Sequence, residues 1–433
     1  MTGKSGKPVN APDLDYVLRR AVAEIIVADE LAQLLKSGRK LRLKEGFDPS
    51  APDIHLGHMV TLRKLRQFQE LGHQIVVIVA DWTAQIGDPS GVSATRRMLS
   101  ADDGRANAET YMKQFFKIVD KQKTEVRWQS EWFGKFDLGD VIHLTSRFTV
   151  AQFLAREDFN KRYNEGKPIA ITEFLYPLLQ AYDSVAVQAD VEFGGTDQKF
   201  NFLVGRELQA MMGQKPQQCF MMPLLVGTDG VQKMSKSLGN YIGIAEPPEV
   251  IYGKTMSIRD DFILTYFELL TDVPDEELKE FKKQLGGGAN PMELKKRLAR
   301  EIVTQLYSRE EAEAAGEHFT RTVQKKEVPD EIQEKHISFK EFHFLTLTTF
   351  SEIKEGSTTK EGYDLGRMLV GLNLAKSRAE ANRLIKQGAV SVDGRIVGNL
   401  EDGEKTIGYV VHMSSGSIIK VGKRRFVKVI NTD

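Results

Sequence analysis

A single cysteine, Cys219, stands among 433 residues. No disulfide framework within the chain is possible, and a reducing compartment, the cytoplasm, is the expectation. No stretch approaches the ~20 consecutive apolar residues of a membrane-spanning helix, so no membrane role is expected. The opening MTGKSGKPVN has no apolar core, and no signal peptide is expected from it. Net charge is also missing: 60 Lys and Arg balance 60 Asp and Glu. That argues against indiscriminate polyanion binding but leaves room for a local basic surface. Hydrophobic residues make up 41% and charged residues 28%, which excludes a disordered or collagen-like chain. At ~100–200 residues per domain the length suggests two to four domains.

The charge is unevenly spread. Residues 361–433 hold 12 Lys and Arg against 8 Asp and Glu, so a basic C-terminal module sits on a mildly acidic body and suggests contact with a polyanion. From about 40 to 240 strand and helix signals alternate. KLRLKEGFDPS begins as a strand and ends in a turn. HMVTLRKLRQFQELG spaces Met59, Leu62, Leu65, Phe68 and Leu71 as a helix that Gly72 stops. QIVVIVADW is a continuous apolar run, as in a strand buried on both faces. DVEFGG followed by TDQKFNFLVGRELQAMM repeats the strand-to-helix step, and CFMMPLLVG is a further strand. This order predicts a parallel sheet with crossover helices. Residues 245–330 read as helices, 330–360 as mixed and partly linker, and no internal repeat is visible. In the tail, Ser377 with Glu380 forms a capping box, Gly388 ends the helix, and Asp393-Gly394 makes a hairpin turn. IIKVGKRRFVKVI is a second hairpin with a basic turn.

Two constellations carry chemistry. Asp53-Ile54-His55-Leu56-Gly57-His58 opens a helix directly after a strand and turn. A helix start offers free N–H groups and the positive dipole end, Gly57 permits close approach, and two imidazoles three residues apart can donate to phosphate or ribose. Read alone, the pair could equally cap the helix or bind a metal, although no third ligand stands nearby. The second is Lys233-Met234-Ser235-Lys236-Ser237 with Leu238-Gly239-Asn240, two mobile point charges suited to a polyphosphate or, in isolation, a solvated loop.

In this order and spacing the two resemble the His-(Ile/Leu)-Gly-His and Lys-Met-Ser-Lys-Ser signatures of class I aminoacyl-tRNA synthetases. GFDPSAPDIHLGH, IGDPSG, the run from Tyr176 through Gln180 to Asp183, and Gly194-Gly195-Thr196-Asp197-Gln198 resemble the bacterial tyrosyl-tRNA synthetases over essentially the whole chain. DLGRMLVGLNLAKSRAEANRLIKQGAVSVDGRIV resembles the S4-type RNA-binding module. The resemblance implies an α/β fold: a Rossmann-like parallel-sheet nucleotide-binding catalytic domain (1–240), an α-helical domain (241–335), a linker (336–360) and a small α+β S4-like domain (361–433). It implies ATP with Mg²⁺ as co-substrate, no protein-bound metal, L-tyrosine and tRNA(Tyr) as partners, and a homodimer.

Carried over position by position, the resemblance gives Asp183 the phenolic hydroxyl of tyrosine. Asp88, Tyr176 and Gln180, helped by Thr83, would hold its ammonium, and Gln198 would sit at the reacting carboxylate. Asp197, Gly195 and Thr61 would lie at the ribose, His58 near the ribose and α-phosphate, and Ser50 and His55 at the γ-phosphate. Lys233, Lys236, Ser237 and Arg96 would bind the leaving pyrophosphate. Gly46, Asp48, Gly57 and Leu225 are further ATP-side positions. Lys376, Arg378, Arg383 and Arg395, with Lys423, Arg424 and Arg425, are expected RNA contacts.

The sequence departs from the common family pattern at several points. Where many bacterial members read YCGFDPTA, Lys44 and Glu45 replace the tyrosine and cysteine. GGATG becomes Ala80-Asp81-Trp82-Thr83-Ala84, and Val92 replaces a lysine. Lys44 and Asp81, both placed in the tyrosine pocket and newly charged with opposite signs, are expected to pair and orient Asp183. Tryptophan as the substrate remains an alternative, against which Asp183 and the GGTDQ run argue. A non-catalytic RNA-binding protein would have lost one of the two signatures. A nucleotidyltransferase acting on another carboxylate is the third reading.

Overall fold

The computed structural model describes residues 14–49, 53–89, 101–324, 332–344, 362–397, 409–422 and 425–433. The chain divides into two compact units, Met1–Glu313 and Ala314–Asp433.

The first unit is built on a six-stranded sheet of β1 (Glu24–Ile26), β2 (Arg42–Phe47), β3 (Gln74–Val79), β4 (Thr124–Trp128), β5 (Val191–Gly195) and β6 (Gln218–Met222), in the order β1-β6-β5-β2-β3-β4. All neighbours are parallel except the β1–β6 pair. The apolar run of β3 is fully buried from Ile75 to Val79, as a strand covered on both faces requires. β1 and β4 lie at the two edges. After β2 the chain builds outward through β3 and β4, then returns to add β5 and β6 on the other side. The strand order therefore reverses between β2 and β5, and such a switch point opens a crevice beyond the carboxyl ends of the strands.

Alternation along β2 sends consecutive side chains to opposite faces. Phe47 stacks on Tyr111 at 3.7 Å between ring centroids, while Lys44 reaches Gln180 and Ser184 of the helix Ile171–Ala186. The helix Leu56–Glu70, bearing the two histidines, crosses from β2 to β3. The expected helical stretch follows as Pro248–Met256, Ile263–Leu270, Asp275–Gly286 and Pro291–Leu306, the last capped by Asn290, which accepts from Met292 N at 2.9 Å.

The second unit has a five-stranded sheet in the order Arg395–Ile396, Val390–Val392, Ile418–Val421, Arg425–Asn431, Gln333–Ile337, and a three-stranded one of His343–Phe344, Gly362–Asp364 and Val410–Val411. Most of the expected local grammar is present, but the Ser377 capping box is only half formed, because the Glu380 side chain accepts from Lys376 N at 2.8 Å. Ser377 accepts from Glu380 N, and Asp393 and Gly394 both take positive φ, 47° and 81°, as a two-residue hairpin turn demands. Leu365, Met368, Leu369, Ile385, Val390, Ile419, Val421 and Val429 form its core. One stretch differs from expectation. Residues 333–337, part of a polar segment read as weak, pair in parallel with 427–431. The segment 336–360 thus opens with the end of a strand and a short turn of helix, Phe339–Phe342, whose Phe339 and Phe342 join the same core. Residues 345–360 lie outside the described residues.

Candidate active site

A cavity of about 360 Å³ occupies the switch point. Its walls come from the ends of β2 (Glu45, Gly46, Phe47 and Asp48 just beyond), β5 (Glu192 to Gly195) and the segment after β6 (Pro223 to Leu225), with the helices that follow them.

Both signatures meet at its mouth because backbone pairing ties them together. Leu56 N donates to Ile242 O and Ile244 N to Ile54 O, each at 2.9 Å, so the segment after the lysine loop is stitched to the histidine turn. His55 caps its helix: its Nδ1 accepts from Gly57 N at 3.1 Å, and His58 Nδ1 accepts from His55 N at 3.3 Å. A side chain at Gly57 would begin 2.9 Å from the His55 ring, so glycine is required there. Burial, the neighbouring His58, and then Lys236 and Lys233 hold His55 well below the ordinary imidazole range. Burial first, then the same lysines, bring His58 to about 4. Both rings are therefore neutral at pH 7. With Nδ1 accepting, the proton sits on Nε2, a donor suited to phosphate oxygen. The lysine loop is held by Asn240, whose Oδ1 accepts from Ser235 N at 2.8 Å while its Nδ2 donates to Asp229 at 2.8 Å and Lys233 O at 3.1 Å. Lys233 Nζ lies 2.9 Å from Asp197 Oδ2.

Around Asp183 the cavity wall is a buried polar network. Asp183 is 2% exposed and accepts from Gln129 Nε2 at 2.8 Å and Trp132 Nε1 at 3.1 Å. Burial lifts its carboxyl to about 7 against the opposing pull of Lys44. Tyr176 and Thr83 both give their hydroxyl protons to Asp48, at 2.9 and 2.7 Å, which leaves their oxygens as acceptors. Gln198 Nε2 donates to Asp88 at 2.6 Å.

Of the expected residues, Gly46, Asp48, His55, Gly57, His58 and Thr61 line the cavity, as do Thr83, Asp88, Tyr176, Gln180 and Asp183. Gly195, Asp197, Gln198, Leu225 and Lys233 complete the wall. Lys236 and Ser237 follow on the same loop but are not among the lining residues, with Ser237 Oγ 2.9 Å from Ser235 Oγ. Ser50 and Arg96 lie outside the described residues, as do Lys423 and Arg424. Lys376, Arg378, Arg383, Arg395 and Arg425 are exposed on the second unit. Arg378 is paired with Asp364, and Arg425 donates to Leu374 O at 2.7 Å.

The expected pair of Lys44 and Asp81 is not formed, and neither residue is on the cavity wall. Lys44 stands opposite Val76 in the middle of the sheet, while Asp81 lies beyond the end of β3 and accepts from Ser130 N at 3.0 Å. Lys44 pairs instead with Glu192, its parallel-strand neighbour, at 2.9 Å. Sequence reasoning missed Glu192, Gln129, Trp132, Asn201 and Arg156. No motif marks them, since each acts by donating to or accepting from a residue distant in the chain.

Glu45 is the exception to a well-satisfied wall. It lines the cavity, one carboxyl oxygen is buried with no hydrogen-bond partner, and burial raises its pKa to about 8. The proton is thus held in the folded state over the window between an ordinary carboxyl value, about 4.3, and about 8. Stability contributed by this group falls as pH rises through that window. Glu45→Gln removes the penalty, so its stability relative to the parent should grow between pH 5 and pH 8.5, by about 1–3 kcal/mol. Denaturant unfolding at both pH values checks this. An offset that does not change with pH would contradict a buried, unpartnered carboxyl.

Comparison with known proteins agrees with this geometry. Residues 36–324 match the model of tRNA synthetases class I (W and Y), and residues 368–402 match the S4 domain. The chain is 59% identical over 418 residues to a tyrosine–tRNA ligase of Dehalococcoides mccartyi strain CBDB1, covering 96% of this chain and 98% of that one. It is 50% identical over 420 residues to one from Carboxydothermus hydrogenoformans, covering 96% and 97%. Its structure is similar to tyrosyl-tRNA synthetase of Archaeoglobus fulgidus complexed with L-tyrosine, with a TM-score of 0.56 at 26% identity, covering 70% of this chain and 98% of that one. Two intact signatures at one switch-point cavity, the match of residues 36–324 to the family model, and full-length relatives place this chain in the class I tyrosine–tRNA ligase family, with an S4 domain at its C-terminal end.

Proposed function

We propose that the switch-point cavity is where this protein joins L-tyrosine to ATP, releasing pyrophosphate, before passing tyrosine to the 3′ end of tRNA(Tyr). The observation that carries the reading is a juxtaposition. Asp183, buried and surrounded by donors, lies in the same cavity as the helix start of His55 and His58 and the loop of Lys233. The ring hydroxyl of tyrosine donates to Asp183. Its ammonium is met by Asp88, by Gln180, and by the hydroxyl oxygens of Tyr176 and Thr83, whose protons are already committed to Asp48. Gln198 faces the carboxylate. ATP lies along the histidine turn, with Gly195, Asp197 and Thr61 toward the ribose and Leu225 on the same wall.

The reaction needs no protein nucleophile. The tyrosine carboxylate attacks the α-phosphorus in line as the bond to pyrophosphate breaks, so catalysis is positioning and charge stabilisation. Neutral Nε2–H groups on His55 and His58 stabilise developing charge without repelling the lysines beside them. Lys233 and Lys236, with Ser237, act on the leaving pyrophosphate, and Ser50 and Arg96 are assigned to the phosphates by their motif positions. Magnesium enters as part of the nucleotide substrate; among the described residues no group of three or more His, Cys, Asp or Glu is placed to hold an ion.

Exposed Lys376, Arg378, Arg383 and Arg395 are the contacts for tRNA phosphates, an interaction that weakens with salt. A homodimer is supported by a run of exposed apolar side chains, Leu138, Ile142, Val150 and Ile171, which are 56–82% exposed. A cytoplasmic location is supported by the single, buried cysteine, and among the described residues no helix is long and apolar enough to cross a membrane.

Lys233→Ala should lower the rate of tyrosyl-adenylate formation by about 10²–10³-fold, as loss of a transition-state donor does, while leaving tyrosine affinity unchanged; single-turnover kinetics and equilibrium binding separate the two. Equal losses would remove Lys233 from the transition state. Removing residues 325–433, which takes the whole second sheet including 333–337, should leave tyrosine-dependent pyrophosphate exchange intact and abolish efficient tRNA charging. Unimpaired charging would take the S4 domain out of the reaction.

A further inference from the structure

Lys44 is wholly buried, and all three of its ammonium protons are used: on Gln180 O at 2.8 Å, Ser184 Oγ at 2.8 Å and Glu192 Oε1 at 2.9 Å. Glu192, 1% exposed, is equally full. Oε1 accepts from Lys44 and from Gln180 Nε2 at 3.1 Å, and Oε2 accepts from Ser184 Oγ at 3.3 Å and from Gln217 Nε2. A carboxylate has about four acceptor sites, so Glu192 has none left for a ligand although it borders the cavity.

Its influence passes through Gln180. A side-chain amide can present either end, and which end faces a ligand is decided by its fixed neighbours. Glu192 can only accept, so it draws Gln180 Nε2 toward itself. From the other side Asn201 Nδ2 donates to Gln180 Oε1 at 3.0 Å and to Gln198 Oε1 at 2.9 Å. Asn201 is in turn oriented by Arg156, which can only donate and reaches Asn201 Oδ1 at 3.3 Å. The neutral amides are therefore ordered by an acceptor-only group at one end and a donor-only group at the other. Lys44 is what allows Glu192 to remain a buried anion.

We propose that the buried Lys44–Glu192 pair is a positioning device that fixes the Gln180 carbonyl oxygen as the acceptor for the ammonium group of the amino-acid substrate. This rests on the assignment of the cavity to tyrosine. With Gln180 reversed, its NH₂ would confront the ammonium instead.

The test compares two ligands on the full-length protein by calorimetric titration. Tyrosinol keeps the phenol and the ammonium; 3-(4-hydroxyphenyl)propionate keeps the phenol but has no ammonium. Replacing the pair by apolar groups, Lys44→Met with Glu192→Leu, leaves no orphaned charge, a change that is often neutral for stability. Glu192→Gln is the second variant: it keeps the volume but lets position 192 donate as well as accept. In each, tyrosinol should bind about tenfold more weakly, ~1.4 kcal/mol, with hydroxyphenylpropionate unchanged. Equal weakening of both ligands would show a merely structural pair, and no weakening of tyrosinol would show that Gln180 is oriented without it; either overturns the proposal. A parent protein that binds neither ligand would overturn the tyrosine assignment itself, and the inference with it.

Discussion

Everything around Asp183 in this cavity depends on one constraint: a polar side chain taken out of water must keep its hydrogen bonds, and a charge taken out of water must keep its counter-charge. A pocket that is to recognise a phenol and an ammonium needs several such groups together. The fold solves this by placing formal charges on rigid elements and suspending neutral amides between them. Lys44 on β2 and Glu192 on β5 are fixed by strand register. Arg156 is held by the rings of Phe159 and Phe200 and by Asp158. Asn201, Gln180 and Gln198 have no orientation of their own and take it from these ends. Asp183, by contrast, receives only neutral donors, Gln129 and Trp132, and burial raises its carboxyl above the ordinary range.

The end of the cavity at the histidine turn and the lysine loop has the opposite arrangement. Two lysines and a helix start concentrate positive potential, and the imidazoles are kept neutral by burial and by those same lysines. The histidines offer directed N–H donors without adding positive charge beside the lysines. Lys233 rests on Asp197 meanwhile, and Asn240 holds the loop by its backbone, so the cation is presented to the cavity before any phosphate arrives. Glu45 lines the same cavity with an unpartnered oxygen, a local cost to the fold.

Much of this was legible in the sequence because much of it is local. The alternation of β2, β3, β5 and β6 with helices, the histidine and lysine signatures, the Ser377 cap and the Asp393-Gly394 turn each depend on a few adjacent residues. β1 and β4 were not recognised: both are short edge strands, and TEVRW in β4 carries charge where a central strand would be apolar. Residues 333–337, expected to be divided between the end of the helical domain and the linker from 336, form a strand whose polar QEKHI carries little signal because it is at the margin of its sheet. Lys44 illustrates the limit best. Its unusual charge was visible, and a buried partner was the right physical demand. The choice of Asp81 failed because strand ends that look adjacent in sequence order need not be in register. The true partner lies 148 residues away, and only the reversal of strand order at the switch point brings β5 beside β2.

On the proposed reading, Asp183, buried and held by Gln129 and Trp132, selects an amino acid for its hydroxyl. Such a site leaves its own polar groups unpaired when the hydroxyl is missing; tyrosine–tRNA ligases are themselves the established example, at ~10⁵-fold against phenylalanine, and that magnitude is theirs. The most direct test is amino-acid-dependent ATP–pyrophosphate exchange on the purified protein without tRNA, with tyrosine, phenylalanine and tryptophan supplied in turn. Exchange with tyrosine and essentially none with the other two is the expected result. Comparable exchange with phenylalanine would contradict the role given to Asp183, and exchange with tryptophan would contradict the account of the pocket as a whole.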